Sequence, residues 1–99
     1  MAKVIFTISY EVHEAARASY LSLSEEMKQY FQNVQKKNYS AYETKGKRNY
    51  FSEVFMCESE EEYDALEDTM DDEWQQLNNR VQEYVLDGKV QYAVLVEAK

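Results

Sequence analysis

The sequence predicts an α+β fold in which four strands form one antiparallel sheet and two helices cover one of its faces. Three observations predict it. Apolar residues alternate with polar ones near both ends of the chain and in two adjacent central segments, which is the pattern of half-buried strands. Between these segments lie two longer runs whose apolar residues recur every three or four positions, as in amphipathic helices. The resulting order is strand, helix, strand, strand, helix, strand.

The first strand and the first helix occupy the N-terminal third of the chain. Residues 3–12 alternate, and one face of this strand carries Val4, Phe6, Ile8 and Tyr10. From Glu14 the period lengthens, and the predicted helix has an apolar face made of Ala16, Tyr20, Leu23, Met27, Phe31 and Val34. No glycine or proline interrupts this helical run.

The two central strands are predicted at residues 39–45 and 49–58, which are rich in tyrosine and phenylalanine. The basic segment 45–48 between them indicates a hairpin loop, in which Gly46 is able to adopt a positive φ.

The second helix begins with the pattern of a capping box, in which Ser59 is followed three residues later by Glu62. Its apolar stripe comprises Tyr63, Leu66, Met70, Trp74, Leu77, Val81 and Tyr84. A continuous helix would be about 40 Å long, which exceeds the roughly 33 Å of a ten-residue strand. We therefore expect a kink or break at residues 69–72, with Asp71 as the cap of a new turn. Asp87-Gly88 is expected to end the helix, because glycine suits a left-handed cap.

The last strand is predicted at residues 89–98, with Val90, Tyr92, Val94 and Val96 on one face. Right-handed crossovers then give the spatial order four-one-three-two, which is the ferredoxin-like arrangement βαββαβ. A chain of 99 residues buries enough surface for one core, so residues 1–99 are expected to form a single domain.

One face of the predicted sheet has no helix to cover it. If the alternation holds, this open face includes Ile5, Thr7, Ala93 and Leu95, with an aromatic contribution from the third strand. Such a surface is too apolar to be left wholly in water. We therefore expect a homodimer in which two open faces pack together around a two-fold axis.

Composition and charge argue against several classes of function. The chain carries a net charge of −8, and residues 58–73 hold ten of its 19 acidic residues and no basic one. This balance argues against binding of nucleic acid, which rests on clustered lysine and arginine. The absence of an 18-residue apolar run predicts no membrane span, and the N-terminal sequence does not resemble a signal peptide. With a single cysteine, the composition fits a reducing compartment, so we expect a cytoplasmic protein.

The acidic segment allows two interpretations. Asp64, Asp68, Asp71 and Asp72 lie at helical spacings, and oxygen-rich sites suit calcium or magnesium. However, no calcium-loop pattern with its central glycine is present, and acidic side chains also favour a helix N-terminus. We favour the structural interpretation and expect no metal site and no cofactor.

The other candidates for chemistry are isolated residues. His13 is the only histidine and has no nearby cysteine, so it makes no convincing metal site. Cys57 is expected to be a buried apolar residue, and its neighbour Glu58 would raise its pKa. The basic hairpin, residues 45–48, is either an anion site or a solvated loop tip, and we favour the tip. The sequence identifies no catalytic residue.

The pattern resembles the dimeric α+β barrel superfamily, and in particular its small antibiotic-biosynthesis monooxygenase domains. Residues 8–12 (ISYEV) resemble the end of their first strand, residues 39–43 (YSAYE) their second strand, and residues 58–63 (ESEEEY) the turn into their second helix. Asp72-Glu73-Trp74 is similar to a short acidic-tryptophan turn in several relatives. That superfamily includes cofactor-independent oxygenases, isomerases and haem-degrading enzymes. The haem-degrading members use a helix histidine, and neither predicted helix here has an internal one.

Two functions remain open. The first, which we favour, is a non-enzymatic or small-ligand-binding homodimer. The alternative is a cofactor-independent monooxygenase or isomerase acting on an aromatic or polyketide-like molecule. If a small aromatic ligand is bound, we expect its site between the second helix and the sheet, lined by Tyr10, Tyr20 and Trp74. The break in the helix would loosen the packing there, and tryptophan offers a flat wall.

Overall fold

The sheet has the predicted topology. A computed structural model describes residues 2–98, in which four antiparallel strands lie in the order β2-β3-β1-β4. The strands are β1 (Val4–Val12), β2 (Asn38–Glu43), β3 (Tyr50–Cys57) and β4 (Val85–Val96). Three helices, α1 (Arg17–Gln29), α2 (Glu60–Asp64) and α3 (Asp72–Tyr84), pack on one face, which we call the helical face. This confirms the α+β, ferredoxin-like arrangement.

The core lies between the helical face and the helices. Antiparallel pairing places Tyr10 opposite Phe51 and Phe6 opposite Phe55, so aromatic residues of β1 and β3 share this face. From α1, Tyr20, Leu23 and Met27 are buried against it, and from α3, Trp74, Leu77 and Val81. Within the described part of the chain, residues 2–98, no helix has the length and apolar character needed to cross a membrane.

The first helix differs from the prediction at its C-terminal end. A 3₁₀ turn, Glu14–Ala16, precedes α1, and a π-helical turn, Tyr30–Val34, follows it. In this turn the backbone N–H of Gln35 donates to the carbonyl of Tyr30, five residues earlier. The wider turn rotates the chain, so Tyr30 joins Phe31 in the core, whereas Val34 is 66% exposed. The placement of Val34 on the apolar face was therefore wrong.

The predicted break in the second helix is confirmed, but it begins after Asp64, earlier than the predicted residues 69–72. Ser59 caps α2 by accepting a hydrogen bond from the backbone N–H of Glu62 at 3.2 Å. The helix stops at Asp64, a 3₁₀ turn occupies Glu67–Thr69, and α3 starts at Asp72. Asp71 caps α3, because its side chain accepts from the backbone N–H of Trp74 at 2.9 Å.

The predicted end of this helix was wrong. The helix ends at Tyr84 and β4 begins at Val85, so Asp87 and Gly88 lie inside the strand. Both have positive φ, 56° and 64°. The pairing of β1 with β4 shifts between Tyr10 and Val12, which marks an irregularity in the ladder at this point. The two left-handed residues therefore lie in an irregular part of the strand ladder and do not cap the helix.

The second face of the sheet, which we call the open face, is covered by none of the helices in residues 2–98. Ile5 lies opposite Leu95 and Thr7 opposite Ala93, as predicted, and β3 adds Val54, Met56 and the predicted aromatic residue, Tyr50. The open face is apolar at this end and polar at the other. There Ser9 and Ser52 share a hydrogen bond of 2.7 Å, and Tyr50 donates to Gln91 at 3.3 Å.

Candidate ligand-binding cleft

A cleft opens where the second helical segment is broken. It has a volume of about 260 Å³ and lies between the helical face and the segment that joins α2 to α3. Six residues line it: Phe6, Tyr63, Asp64, Leu66, Glu67 and Met70. The break creates this space because residues after Asp64 no longer follow the helix axis across the sheet.

Aromatic rings form the floor of the cleft and extend beyond it. Tyr63 packs edge-on against Phe6, with ring centroids 5.9 Å apart. On β4, Tyr92 lies almost parallel to Phe6, at 6.2 Å and an interplanar angle of 8°. On the opposite side, Phe6 stacks on Phe55 at 6.2 Å. One side of this aromatic layer is open, because Tyr92 and Val94 of β4 remain exposed on the helical face.

The charge at the cleft is negative. Asp64 and Glu67 contribute carboxylates, and none of the six lining residues is basic. The hydroxyl of Tyr63 is the other polar side-chain group among them. Such a site favours uncharged or cationic molecules over anions.

Trp74 lies beside this region but does not line the cleft. Its ring stacks on Phe55 at 5.6 Å and meets Phe31 edge-on at 4.8 Å. It is therefore packed between the π-helical turn that follows α1 and the sheet, and its stacking partner Phe55 in turn stacks on Phe6 of the cleft floor.

Tyr10 and Tyr20 are brought together, but not at the cleft. Their hydroxyls are 2.9 Å apart, and both side chains are fully buried between α1 and the sheet. Burial raises the pKa of both phenols well above the ordinary value, and the carboxyl of Glu53 adds to the effect. Tyr10 and Tyr20 thus contact each other, whereas Trp74 packs against Phe31 and Phe55, so the three residues do not line one pocket.

Glu53 lies beside these tyrosines and was not among the site residues predicted from the sequence. Glu53 lies on β3 and is only 6% exposed. Its carboxyl accepts hydrogen bonds from Tyr10 at 2.6 Å and from Tyr39 at 3.0 Å. Burial raises the pKa of Glu53, and the two hydroxyls that donate to it act in the opposite direction. A signal was present, because Phe51, Glu53 and Phe55 follow the period of two that places the glutamate on the buried face.

The other candidates show no arrangement for chemistry. Within residues 2–98, no group of three or more His, Cys, Asp or Glu side chains is positioned to hold a metal ion. Cys57 is buried, and burial, followed by the charge of Glu62, raises the pKa of its thiol. A larger groove of about 620 Å³ lies between α1 and α3, but it is an open surface with a polar rim that includes Glu25, Glu26 and Glu73.

Comparison with known proteins shows a shared fold. No protein-family model matches the sequence, and no curated protein is similar to it in sequence. Among solved structures, the chain is similar to SnoaB, a cofactor-independent oxygenase from Streptomyces nogalater, with a TM-score of 0.74 and 10% identity over 98% of this chain and 94% of that one. An antibiotic biosynthesis monooxygenase matches with a TM-score of 0.70 and 13% identity over 100% and 98%. A protein of unknown function from Bacteroides thetaiotaomicron, described as a possible oxidoreductase, matches with a TM-score of 0.74 and 15% identity over 97% and 98%. The resemblance inferred from the sequence is thereby confirmed as a likeness of fold.

Proposed function

We propose that this protein is a homodimeric ligand-binding α+β barrel whose protomers each hold a small aromatic molecule, uncharged or cationic, in the cleft between α2 and α3. The observation that carries the proposal is the aromatic floor of this cleft, where Phe6 is flanked by Tyr63 and Tyr92. Ligand sites are typically concave and apolar with a few polar groups, and this cleft has that composition.

The size of the cleft limits the ligand. Pockets for drug-sized molecules are roughly 300–1,000 Å³, and the cleft has about 260 Å³. One ring or two fused rings would fit over Phe6, with the open side toward Tyr92 accommodating a substituent. The carboxylates of Asp64 and Glu67 select against an acid at the rim.

Two features support the proposed homodimer, the open face and the edge strand β4. The open face has an apolar area that none of the helices described for this chain covers, made of Ile5, Val54, Met56 and Leu95. β4 is an edge strand of twelve residues, and Leu95 and Val96 are exposed at its end. A long apolar edge strand favours association.

The alternative function is a cofactor-independent monooxygenase or isomerase acting on such a molecule. It is favoured by the shared fold with SnoaB. Asp64, Glu67 and Tyr63 are the polar groups available to it at the cleft. Oxygen consumption or isomer formation on incubation with a bound ligand would distinguish catalysis from binding alone.

A matched pair of probes tests the ligand site. Naphthylmethylamine and naphthoate share a ring system and differ in charge, and Trp74 fluorescence reports on the layer that includes the cleft floor. We expect the amine, but not the acid, to change the fluorescence and to shift the amide NMR signals of Tyr63 and Glu67.

Charge reversal supplies the control. Glu67→Lys at the rim is expected to weaken binding of the amine and to admit the acid, whereas Glu61→Lys, on α2 but outside the lining, should leave both unchanged. The absence of any response to either probe, or an equal response of the two variants, would contradict the proposed site.

A further inference from the structure

The buried carboxyl of Glu53 accepts hydrogen bonds from two tyrosine hydroxyls, and a third tyrosine hydroxyl contacts one of these two. Tyr10 comes from β1, Tyr39 from β2 and, through Tyr10, Tyr20 from α1. This cluster therefore links β1, β2 and β3 to α1. Glu53 is not among the residues that line the proposed ligand cleft.

Among residues 2–98, no lysine, arginine or histidine forms an ion pair with this carboxyl. The titratable groups that face it are Tyr10, Tyr20 and Tyr39, all phenols. Arg17, at the start of α1, directs its guanidinium to Glu43 and Asn49 instead. Among the hydrogen bonds of residues 2–98, none joins Glu53 to a lysine, arginine or histidine. A buried carboxylate without a partner charge is strongly disfavoured relative to the neutral acid.

The cluster has one more hydrogen when Glu53 is protonated than when it is ionised, so its hydrogen-bond pattern differs between the two states. The cluster has three contacts, Tyr20–Tyr10, Tyr10–Glu53 and Tyr39–Glu53. With Glu53 ionised, the three hydroxyl hydrogens fill the three contacts. With Glu53 protonated, a fourth hydrogen is present and one finds no acceptor within the cluster. An unpaired hydroxyl hydrogen costs less than an uncompensated buried charge, so the neutral acid is favoured, but by less than burial alone would give.

We propose that Glu53 and its three tyrosines form a pH-sensitive latch, which holds α1 on the sheet while Glu53 is protonated and loosens that contact as the pH rises. Ionisation places a charge where the described residues supply only tyrosine hydroxyls, and opening of the space between α1 and the sheet lets water reach it. The folded protein keeps this proton at pH values where the unfolded chain has lost it, as expected from the raised pKa of Glu53. The stabilisation is complete below the ordinary carboxyl pKa and disappears as the pH rises through the higher, folded-state pKa.

Unfolding by urea from about pH 5 to about pH 9 tests the latch. We expect the unfolding equilibrium constant of the wild type to rise by about tenfold per pH unit within the titration window of Glu53. Glu53→Gln imitates the protonated acid and should not show this rise of the unfolding constant with pH. The variant should therefore be more stable than the wild type at about pH 9, where Glu53 of the wild type has titrated. Glu83→Gln, an exposed carboxyl on α3, should keep the wild-type dependence.

A second measurement does not depend on a folded variant. In the wild type, the ¹³C signal of the Glu53 carboxyl should titrate with a midpoint above the ordinary glutamate value, and amide exchange in α1 should accelerate through the same pH range beyond the intrinsic increase. A midpoint at or below the ordinary value would overturn the proposal. So would an equal pH dependence of the wild type and Glu53→Gln.

Discussion

The guanidinium of Arg17 forms two hydrogen bonds with the carboxylate of Glu43, at 2.6 and 2.9 Å, and so joins the start of α1 to the last residue of β2. The same carboxylate accepts from the backbone N–H of Asn49 at 2.8 Å, and Arg17 donates to the Asn49 side chain at 2.8 Å. Asn49 has a φ of 66°, a conformation in which asparagine is better tolerated than most residues. These bonds fix the end of the hairpin against α1.

This contact predicts a loss of stability in acid. Arg17 lowers the pKa of Glu43 to about 2, so its stabilising effect is present above the ordinary carboxyl pKa and is lost as the pH falls through about 2. We expect Glu43→Gln to lower the melting temperature by a few degrees at neutral pH, since exposed ion pairs contribute little. The difference from the wild type should vanish near pH 2 in thermal scans by circular dichroism. Glu58→Gln, which removes an exposed carboxyl at the end of β3, is the control, and an equal effect of both substitutions would contradict the role of Arg17.

The positive φ in the irregular part of β4 predicts a backbone effect at Gly88. A Cβ at this position would contact nothing within 4 Å, so the cost of Gly88→Ala comes only from its φ of 64°. We expect a loss of about 1–2 kcal/mol in the free energy of unfolding, measured in urea. Gly88→Asn should cost less, because asparagine tolerates the left-handed region better than alanine. Equal losses for the two variants would indicate that a side chain, rather than the φ angle, causes the destabilisation.

The element order, the strand order and the helix break follow from periodicity and capping signals, whereas the error at Asp87-Gly88 has a specific cause. Glycine after a helical stripe indicates a residue with positive φ, and helix caps and strand bulges both require one. Pairing with β1 decides between them, and pairing is not visible in local sequence. The exposure of Val34 has a similar origin, because the π-helical turn at Tyr30–Val34 changes the period without glycine or proline.

The candidate site was predictable only in part. An opening between the helices and the sheet does lie at the break between α2 and α3, although Trp74 does not line it. Which aromatic residues face it depends on side-chain packing, and Trp74 turns to Phe31 and Phe55 instead. Glu53 was missed because a charged residue in an alternating strand is usually placed on the solvent side, although register puts it opposite Ile8 on the helical face.

The acidic segment is predicted to bind no divalent metal. The carboxylate of Asp71 already accepts hydrogen bonds from the backbone of Trp74 and from the hydroxyl of Tyr30, which makes it a structural cap. We expect millimolar calcium or magnesium to leave the melting temperature unchanged, because a ligand stabilises only the state that it binds. A clear stabilisation that disappears in the Asp68→Asn, Asp71→Asn double variant would contradict this prediction.

The homodimer is predicted to depend on one face of β4. Leu95 lies opposite Ile5 on the open face and is 55% exposed. A buried aspartate at this position would lack a partner charge, so Leu95→Asp should shift the protein from dimer to monomer at micromolar concentrations. Leu21→Asp is the matched control, because Leu21 is 45% exposed on α1, outside the open face. Sedimentation velocity should give twice the mass of the chain for the wild type and for Leu21→Asp.

A neighbouring position distinguishes packing of the open faces from association through the strand edge. Val94 precedes Leu95 and lies opposite Phe6 on the helical face, because successive residues of a strand point to opposite sides. If the open faces pack together, Val94→Asp should remain dimeric while Leu95→Asp dissociates. Dissociation of both variants would indicate pairing along the edge of β4, and a wild-type protein that sediments as a monomer would contradict the dimer itself.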